Sequence, residues 1–326
     1  MSVVVVTHDR VHSLPRVLAP LLSTGDALEV VVVVDGCADG TLELLRDLSH
    51  EDERVRPVWR ENGGPSAARQ TGVEAAHGDV VLLLDDDVVP DADLVRGHAA
   101  RHAQDDALVV VGYMPTLLPA VRTRGQFATV LYAVEYEDAC RRYEADPAHV
   151  LERLWTGNVS LRRADALRVG IDCPEVRGMY HEDTELGLRL AAAGLTGVFD
   201  RQLTSRHLHR RSLGAFARDS RAQGRGRVRL AALHPERVPE PSDADLLVGV
   251  PSPLVPMARR PTLAATCGLL RLVVVLSGFV RAYGVETVAA RLLRRFEQVR
   301  GARAERYRVG QSGMLRSEQS GARPSA

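Results

Sequence analysis

The chain has 326 residues, 45% of them hydrophobic and 26% charged, which excludes a disordered or fibrous protein and allows one large α/β domain with an appendage. Its formal net charge is zero, but the residues from Met257 onward carry 13 Arg against 4 Glu, so a basic end follows an acidic body. Four cysteines without C-x-x-C spacing argue against a zinc ribbon, a disulfide framework or a redox motif, and they fit a reducing, cytoplasmic compartment. We expect no secretory signal peptide, because a buried-strand pattern follows Met1 at once.

Four runs of β-branched residues predict strands that are buried on both faces. They are continuous apolar runs without alternation, which is typical of parallel sheets, and helical patterns separate the first three of them. The predicted strands are Val3–Val6, Val30–Val34, Val80–Leu84 and Leu108–Val111, and the predicted helices are His12–Leu22, Thr41–Leu48 and Pro65–Ala76. This order predicts an α/β fold with a mostly parallel, Rossmann-like sheet flanked by helices, whose ligands bind where the strands end.

Three adjacent carboxylates, Asp85, Asp86 and Asp87, follow the third of these runs. Such carboxylates repel one another unless a cation lies among them. Hard oxygen ligands suit Mg²⁺ or Mn²⁺, which also bridges a diphosphate. The alternative is a solvated acidic turn, which is the commoner explanation of an isolated triplet. The position at the end of a buried strand favours the metal site.

Two weaker signals follow the second run. Asp35 and Asp39 lie in D-G-C-A-D-G, where the alternative to a ligand site is an Asx-type turn that leads into a helix. Arg69 lies in a predicted helix whose N-terminus can face a phosphate, although it could equally be a surface residue.

The segment Y-H-E-D-T-E-L-G-L-R-L predicts an amphipathic helix over Asp183–Ala193, with Leu186, Gly187 and Leu190 on its buried side. Glu182 and Asp183 lie at its start. Asp183 is either an ordinary N-cap or a general base, and one carboxylate can serve both purposes.

Two histidines at alternate positions, His207 and His209, would lie on one face of a strand. A lone histidine is more often structural. A pair in a chain that also carries an acid cluster makes a metal or diphosphate ligand plausible.

Taken in order, these segments resemble glycosyltransferase family 2, whose members have the GT-A fold. V-V-V-V-T-H-D-R resembles the family's first strand and turn. The later motifs are matched by V-V-V-V-D-G-C-A-D-G-T, N-G-G-P-S-A-A-R-Q-T-G, D-D-D, W-T-G-N-V-S-L-R-R and H-E-D-T-E-L-G-L-R-L. Thr156 stands where the family usually has Gly, and Gln70 where it has Asn.

The resemblance implies a role for each matched residue in a metal-dependent, inverting sugar transfer. It implies Asp183 as the catalytic base with Glu182 in support, and Asp85 and Asp87 as the D-x-D metal ligands together with His207 or His209. The implied nucleotide-sugar contacts are Thr7, Asp9, Asp35, Asp39, Arg69, Asp85 and Asp86. The implied acceptor-side residues are Trp155, Gly157, Asn158 and His181.

The expected reaction moves a sugar from a UDP-, GDP- or dTDP-linked donor to an acceptor hydroxyl with Mn²⁺ or Mg²⁺ as cofactor. The expected setting is the synthesis of a cell-envelope polysaccharide, a glycolipid or a glycosylated metabolite, with no nucleic-acid partner. A nucleotidyltransferase is one alternative, but it should have a Gly-rich loop after its first strand, where this chain has T-H-D-R-V-H. A non-catalytic nucleotide-sugar-binding protein is the other, and it would need no second acidic motif.

The expected catalytic domain covers residues 1–234, with a nucleotide-sugar half at 1–115 and an acceptor half at 116–234. Prolines predict a linker at 235–261, followed by a basic amphipathic helical appendage at 262–310 and a disordered tail at 311–326. Leu263–Val280 is nearly long enough to span a bilayer, but Arg271 at its centre argues against it. The two remaining hypotheses are helices packed on the catalytic domain and peripheral contact with the anionic inner face of the cell membrane.

Overall fold

The computed structural model describes residues 1–24, 28–178 and 180–321, which form two compact units. The sheet unit comprises the described residues of Met1–Pro119, Tyr132–Gly178 and Glu182–His209. The helical unit comprises those of Ala120–Leu131, Met179–His181 and Arg210–Ala326.

Within the described residues of the sheet unit, eight strands form one mixed sheet. They are β1 Ser2–Thr7, β2 Glu29–Asp35, β3 Val55–Arg60, β4 Val80–Asp85, β5 Val88–Pro90, β6 Leu108–Tyr113, β7 Asn158–Arg162 and β8 Thr196–His207. Their order across the sheet is β3-β2-β1-β4-β7-β6-β8-β5. The first four strands of that order are parallel, as are β6 and β8, whereas β7 is antiparallel to both its neighbours and β5 is antiparallel to β8. The parallel half predicted from the sequence is confirmed, and β7 makes the whole sheet mixed.

Helices cover the sheet because its central strands are apolar on both sides. The helices are α1 Leu14–Ser23, α2 Thr41–Glu51, α3 Pro65–Ala75, α4 Leu94–His102, α5 Phe127–Ala145, α6 Arg163–Val169 and α7 Glu182–Ala192, and α5 enters the sheet unit at Tyr132. Val3 and Val5 of β1 belong to the core that contains α1, and Val4 belongs to the core that contains α3. Consecutive valines therefore fill opposite cores, which explains the absence of alternation in the sequence.

The parallel register brings the carboxyl ends of three strands to one edge of the sheet. Thr7 of β1 pairs with Val34 of β2, and Val6 of β1 pairs with Asp85 of β4. Residues that directly follow these strands therefore lie close together, as expected for ligand-binding loops of such a sheet.

The helical unit contains α8 Leu213–Leu233, α9 Asp243–Leu246, α10 Arg260–Phe279 and α11 Tyr283–Gly321. Glycines permit α8 and α11 to lie very close together. A Cβ at Gly224 would stand 1.9 Å from the carbonyl oxygen of Gln298, and one at Gly301 would stand 1.9 Å from that of Arg221. Phe216 of α8 and Phe296 of α11 are buried in the same apolar core.

The domain boundaries differ from those expected. The helical unit resumes at Arg210, so α8 belongs to it and not to the acceptor half. The segment 235–261 contains α9 and a 3-10 helix at Ser252–Ala258, and Leu246 and Ala258 are buried in the helical core, so it is a packed segment and not a free linker. Pro251 and Pro253 lie at the start of this 3-10 helix, and Pro256 lies within it. The predicted disordered tail is helical through Gly321, and residues 322–326 lie outside the described residues.

Gly187 of α7 faces the 3-10 turn Leu151–Arg153, where an added Cβ would lie 1.9 Å from the carbonyl oxygen of Leu151. We expect Gly187→Ala to lower the free energy of unfolding by about 1–3 kcal/mol, because backbone atoms on both sides must shift. Urea denaturation measures the change. Gly268→Ala is the matched control: Gly268 lies within α10 with open space at its Cβ position, so alanine there should stabilise the protein slightly. Equal effects of the two substitutions would contradict the expected close contact.

Candidate active site

Arg69 connects the carboxylate motif of the first half with that of the second. Its Nη2 donates to Asp85 Oδ1 at 2.7 Å, and its Nη1 lies 3.8 Å from Asp183 Oδ1. The guanidinium is largely buried, and despite that burial the carboxylates around it raise its pKa. Asp85 ends β4 and Asp183 lies in the first turn of α7, so the fold unites two residues that are 98 positions apart in the sequence.

Thr156 orients the carboxylate of Asp183. The Thr156 backbone N–H donates to Asp183 Oδ2 at 3.1 Å, and its hydroxyl donates to Oδ1 at 2.7 Å. The sequence alone predicts a helix that starts at Asp183 and is capped by it, but α7 starts at Glu182, so Asp183 is a first-turn residue held by a neighbouring loop. The threonine that replaces the family's usual glycine thus provides a donor for this carboxylate.

Glu182 has a different set of contacts. Its Oε1 accepts a hydrogen bond from the backbone N–H of Gly178 at 2.7 Å. Burial raises the pKa of this carboxyl, and the bond from Gly178 and the charge of Arg69 oppose the shift. Glu182 therefore supports the loop before α7.

Gly157 allows the loop before β7 to lie directly against Asp85. Its φ is +106°, and a Cβ would stand 2.6 Å from Asp85 Oδ2. The backbone N–H of Asp85 donates to the carbonyl of Gly157 at 3.2 Å. The acceptor-side motif predicted from the sequence therefore touches the metal motif through its glycine.

Asp87 faces His207, the last residue of β8. The His207 Nε2 atom lies 3.3 Å from Asp87 Oδ1, and its buried Nδ1 has no hydrogen-bond partner within the described part of the chain. Arg10 lies on the other side, with Nη2 3.7 Å from Asp87 Oδ2. Burial, and then the neighbouring charge of Asp87, raise the pKa of Asp86 to about 6.

Although β8 ends at His207, the imidazoles of His207 and His209 lie 5.4 Å apart between centroids, and Tyr132 contacts the His207 ring edge-on at 4.9 Å as well as that of His209. The His209 ring stacks on Tyr132 at 4.3 Å between centroids. Tyr132 in turn stacks on Trp155 at 5.5 Å, and Tyr136 stacks on Trp155 at 5.1 Å. The structure thus places the predicted acceptor-side Trp155 in an aromatic cluster that includes two tyrosines of α5.

Hydrogen bonds to three carboxylates connect the loops that follow β1, β2 and β3. These carboxylates belong to Asp9, Asp35 and Asp39. The Asp35 carboxylate is buried, accepts from the backbone N–H groups of Gly63 and Gly64 at 2.9 Å each, and lies 3.2 Å from Arg60 Nε. Asp39 accepts from the N–H of Thr41, which forms the expected Asx-type turn. It also accepts from the N–H of Val11, which connects this turn to the loop after β1.

Asp9 belongs to a second cluster of possible metal ligands, which the sequence did not suggest. The ligand atoms of His8, Asp9 and Cys37 lie within 4.8 Å of one another, and no other trio in the described ranges meets that distance. All three side chains contact protein atoms: Asp9 Oδ1 accepts from Ala38 N, His8 Nδ1 lies 2.7 Å from the carbonyl of Asp35, and Cys37 Sγ lies 3.5 Å from the carbonyl of Thr7. These contacts join the loops after β1 and β2. Asp87 and His207 form a separate carboxylate–imidazole pair, and Asp87 follows β4 two residues after Asp85.

Comparisons with known proteins show which family and which fold the chain resembles. The family model described as glycosyl transferase family 2 matches residues 2–128. Over these residues the chain is similar to glycosyl transferase family 2. The validoxylamine A glucosyltransferase of Streptomyces hygroscopicus subsp. jinggangensis is 31% identical, over 62% of this chain and 54% of that protein. Its namesake in subsp. limoneus is 30% identical, over 62% of this chain and 50% of that protein. The chain spans about half the length of these curated relatives.

Solved structures confirm the GT-A fold class. A mannosyltransferase of Pyrobaculum calidifontis, solved in complex with GDP-Man and Mn²⁺, aligns with a TM-score of 0.56 at 16% identity, covering 90% of this chain and 85% of that one. S. aureus TarS 1–349 aligns with a TM-score of 0.51 at 15% identity, covering 95% and 91%. At these identities the likeness concerns the fold alone.

Two predicted acceptor-side residues differ in burial, since Asn158 is buried and His181 is half-buried. The Asn158 amide donates to the carbonyl of Leu203 at 3.0 Å and to the hydroxyl of Ser205 at 3.2 Å. His181 belongs to the helical unit, where its ring lies beside Gly226 of α8. Burial lowers the pKa of His181 to about 4.

A buried chain of hydrogen bonds that the sequence did not reveal holds Asn158 in place. His98 Nε2 lies 2.9 Å from Asn158 Oδ1 and therefore carries the proton, so His98 Nδ1 accepts from the Ser160 hydroxyl at 2.8 Å. His102 Nε2 lies 2.8 Å from the same hydroxyl and donates to it. A histidine pair spaced four apart in α4 was the available signal, but it does not distinguish a buried network from a surface pair.

This network predicts a pH-dependent stability. Burial lowers the pKa of His98 to about 4 from an ordinary 6.5. Between those values the unfolded chain binds more protons at this group, so the free energy of unfolding should rise with pH, by about 3 kcal/mol over the window. A protonated His98 would also carry an N–H at Nδ1, so the Ser160 hydroxyl could no longer donate to that nitrogen. Urea denaturation from pH 4.5 to 7 should show a shallower slope for His98→Gln than for wild type. His77→Gln, at an exposed histidine, should keep the wild-type slope; a His98→Gln slope as steep as wild type would contradict the assignment.

Proposed function

We propose that this protein is a glycosyltransferase that moves a sugar from a nucleoside-diphosphate sugar to an acceptor hydroxyl by a metal-assisted, inverting single displacement. The observation that carries the proposal is the link from Asp85 through Arg69 to Asp183. It unites a strand-end carboxylate suited to a donor diphosphate with a carboxylate suited to an acceptor proton. A nucleotide-binding module without catalysis has no need of the second.

Asp85, Asp87 and His207 would hold Mn²⁺ or Mg²⁺. Two observations support the fit: carboxylate oxygens and an imidazole nitrogen are suitable ligands, and the His207 ring already lies 3.3 Å from Asp87 with its other nitrogen buried and unpartnered among the described residues. The contact with Asp87 favours His207 over His209, which stacks on Tyr132. When bound, the cation supplies charge neutralisation for the diphosphate leaving group.

Asp183 would accept the proton of the acceptor hydroxyl. Thr156 holds the carboxylate through a backbone N–H and a hydroxyl, which fixes its direction without protonating it. Each carboxylate oxygen has a further lone pair with which to bind an incoming hydroxyl. Attack from the side of Asp183, opposite the leaving group, would invert the anomeric carbon.

The loops after β1, β2 and β3 would bind the nucleotide. Asp35 fixes Gly63 and Gly64 at the N-terminus of α3, a position suited to a phosphate or a ribose. Thr7, Asp9 and Asp39 join the neighbouring loops, and Arg69 adds positive charge toward the diphosphate. Asp86, whose pKa burial raises, would line the same edge.

The acceptor is expected to approach Trp155 and Gly157. The half-buried Trp155 in its aromatic cluster suits the apolar face of a sugar or cyclitol ring. Validoxylamine A, named for the relatives at 30 and 31% identity, is the first acceptor to test, followed by polysaccharide fragments and glycolipid headgroups.

Release of nucleoside diphosphate from a panel of donors tests the proposal. UDP-glucose, GDP-mannose and UDP-GlcNAc are the first choices, each with Mn²⁺, with Mg²⁺ and with excess EDTA. We expect one donor to be turned over only with a divalent cation, and a β-linked product from an α-linked donor by NMR. Binding of a nucleotide sugar without release of diphosphate would indicate a binding protein, and release of pyrophosphate from a nucleoside triphosphate would indicate a nucleotidyltransferase.

A further inference from the structure

The outer surface of α10 is apolar over its whole length. Its large exposed side chains are Leu269, Leu272, Leu276 and Phe279, here called the outer stripe, and each is 52–60% exposed. From Ala264 to Phe279 every exposed residue of α10 is apolar. Contiguous exposed apolar surface of this kind marks a site of interaction with a protein or a membrane.

The charged residue within this apolar run, Arg271, lies on the opposite side of α10. Arg271 Nη2 donates to Glu297 Oε1 of α11 at 2.8 Å, so the arginine that interrupts the apolar run in sequence is turned toward α11, with 40% of its side chain exposed. Leu263, Cys267 and Val274 are buried on that same side. Arg271 therefore does not interrupt the outer stripe.

These contacts argue that α10 lies on a surface and does not span a bilayer. Pro261–Phe279 is long and apolar enough to qualify as a candidate span, with a mean hydropathy of 1.8. Spanning would require α10 to leave its buried partners and would place the Arg271–Glu297 pair in lipid, where charges are costly. A helix with one face packed and one face apolar instead suits the plane of the membrane interface.

The charges around the outer stripe indicate what covers it. Between residues 259 and 309 the acids are Glu286, Glu297 and Glu305, and all three are buried. Exposed charges in that range are all arginine, among them Arg259, Arg281 and Arg291. The surface around the stripe is therefore cationic, which attracts an anionic leaflet and disfavours a second copy with the same arginines.

A cavity of about 440 Å³ lies at the C-terminal end of the stripe. Arg122, Arg124 and Arg281 line it together with Phe279 and Tyr283. The Arg124 guanidinium lies 3.4 Å from the centre of the Phe279 ring, so apolar and cationic groups share one rim. A phospholipid presents the same pair of features, an acyl chain next to a phosphate.

We propose that the outer stripe of α10 with the arginine-lined cavity at its end is a docking surface for an anionic phospholipid membrane. The helix lies in the headgroup region with its apolar side chains toward the acyl chains. Arg124 and Arg281 bind lipid phosphates, while Arg122 is paired with Glu286 at 2.9 Å. The surface holds the protein at a leaflet independently of the chemistry proposed above.

Co-sedimentation of the full chain with vesicles tests this surface. Wild type should bind phosphatidylcholine vesicles that contain phosphatidylglycerol at low salt and should bind pure phosphatidylcholine weakly. The double variant Leu272→Glu with Leu276→Glu should reduce binding by at least about tenfold, because it places two charges in the stripe. The same positions changed to alanine should give a smaller loss with the helix preserved.

The matched control places two glutamates on exposed apolar residues of the sheet unit, Val134→Glu with Leu167→Glu, and so changes the net charge equally. It should bind vesicles like wild type, as should Asp183→Asn, and circular dichroism should show all variants folded. Equal loss in both double variants, no loss in the stripe variant, or no binding by wild type would each overturn the proposal. So would a wild-type dimer in light scattering that the stripe variant splits into monomers.

Discussion

Replacing Asp183 with asparagine is expected to lower kcat by about 100-fold or more while donor affinity stays near the wild-type value. Asparagine has the shape of aspartate, and the Thr156 hydroxyl can accept from its amide while the Thr156 N–H still donates to its oxygen. The loop and α7 should therefore keep their structure. What is lost is the capacity to take the acceptor proton.

Steady-state kinetics with saturating acceptor, and donor binding by calorimetry, separate the two effects. Glu182→Gln is the matched control, since it removes the neighbouring carboxyl of the same helical turn, whose oxygen accepts from Gly178. That variant should lose activity only mildly. An Asp183→Asn enzyme with wild-type kcat would reduce Asp183 to a residue that positions Thr156.

Replacing Asp87 with alanine is expected to lower turnover by at least about 100-fold and to remove the effect of Mn²⁺ on stability. With a cation site intact, nucleoside diphosphate plus Mn²⁺ at 100 times its Kd should stabilise the folded chain by about 2.7 kcal/mol. Without Asp87, His207 loses the carboxylate that lies 3.3 Å from its Nε2, and Mn²⁺ should add nothing to the nucleotide alone.

Thermal unfolding with nucleotide, with and without Mn²⁺, provides the measurement. Asp91→Ala is the control. Asp91 directly follows β5, four residues after Asp87, and forms an exposed ion pair with Arg206 at 3.1 Å. It should keep the Mn²⁺ effect and the turnover. Full activity of the Asp87→Ala variant in excess EDTA would exclude metal assistance at this position.

Four of the eight described strands could be predicted from the sequence, because these four are buried on both faces. The four predicted runs correspond to β1, β2, β4 and β6. The others lack that pattern for physical reasons: β3 has Pro57 and polar residues at the sheet edge, β5 is three residues long, and β8 alternates polar and apolar residues irregularly. Single-strand patterns also could not show that β7 would run antiparallel between β4 and β6.

The candidate site was predictable where its residues directly follow strands. Asp35, Asp85 and Asp87 are such residues, because a parallel sheet brings its strand ends together. The role of Thr156 was not predictable, since it depends on a loop that meets α7 27 positions later in the sequence. Tyr132 and Tyr136 lie within a helix of mixed polarity, where nothing in their spacing indicates a stack on Trp155.

Because Arg69 lies between Asp85 and Asp183, donor binding at Asp85 and acceptor binding at Asp183 should be energetically coupled. The guanidinium that bonds Asp85 at 2.7 Å also attracts Asp183 from 3.8 Å, so a change of charge at either carboxylate alters its hold on the other. Thermodynamic reciprocity requires this coupling to be equal in both directions. In a double-mutant cycle, Asp85→Asn and Asp183→Asn should therefore be non-additive in acceptor affinity, and changing Arg69 to glutamine should make them additive. A single arginine would then report donor occupancy to the acceptor side with no movement of the backbone.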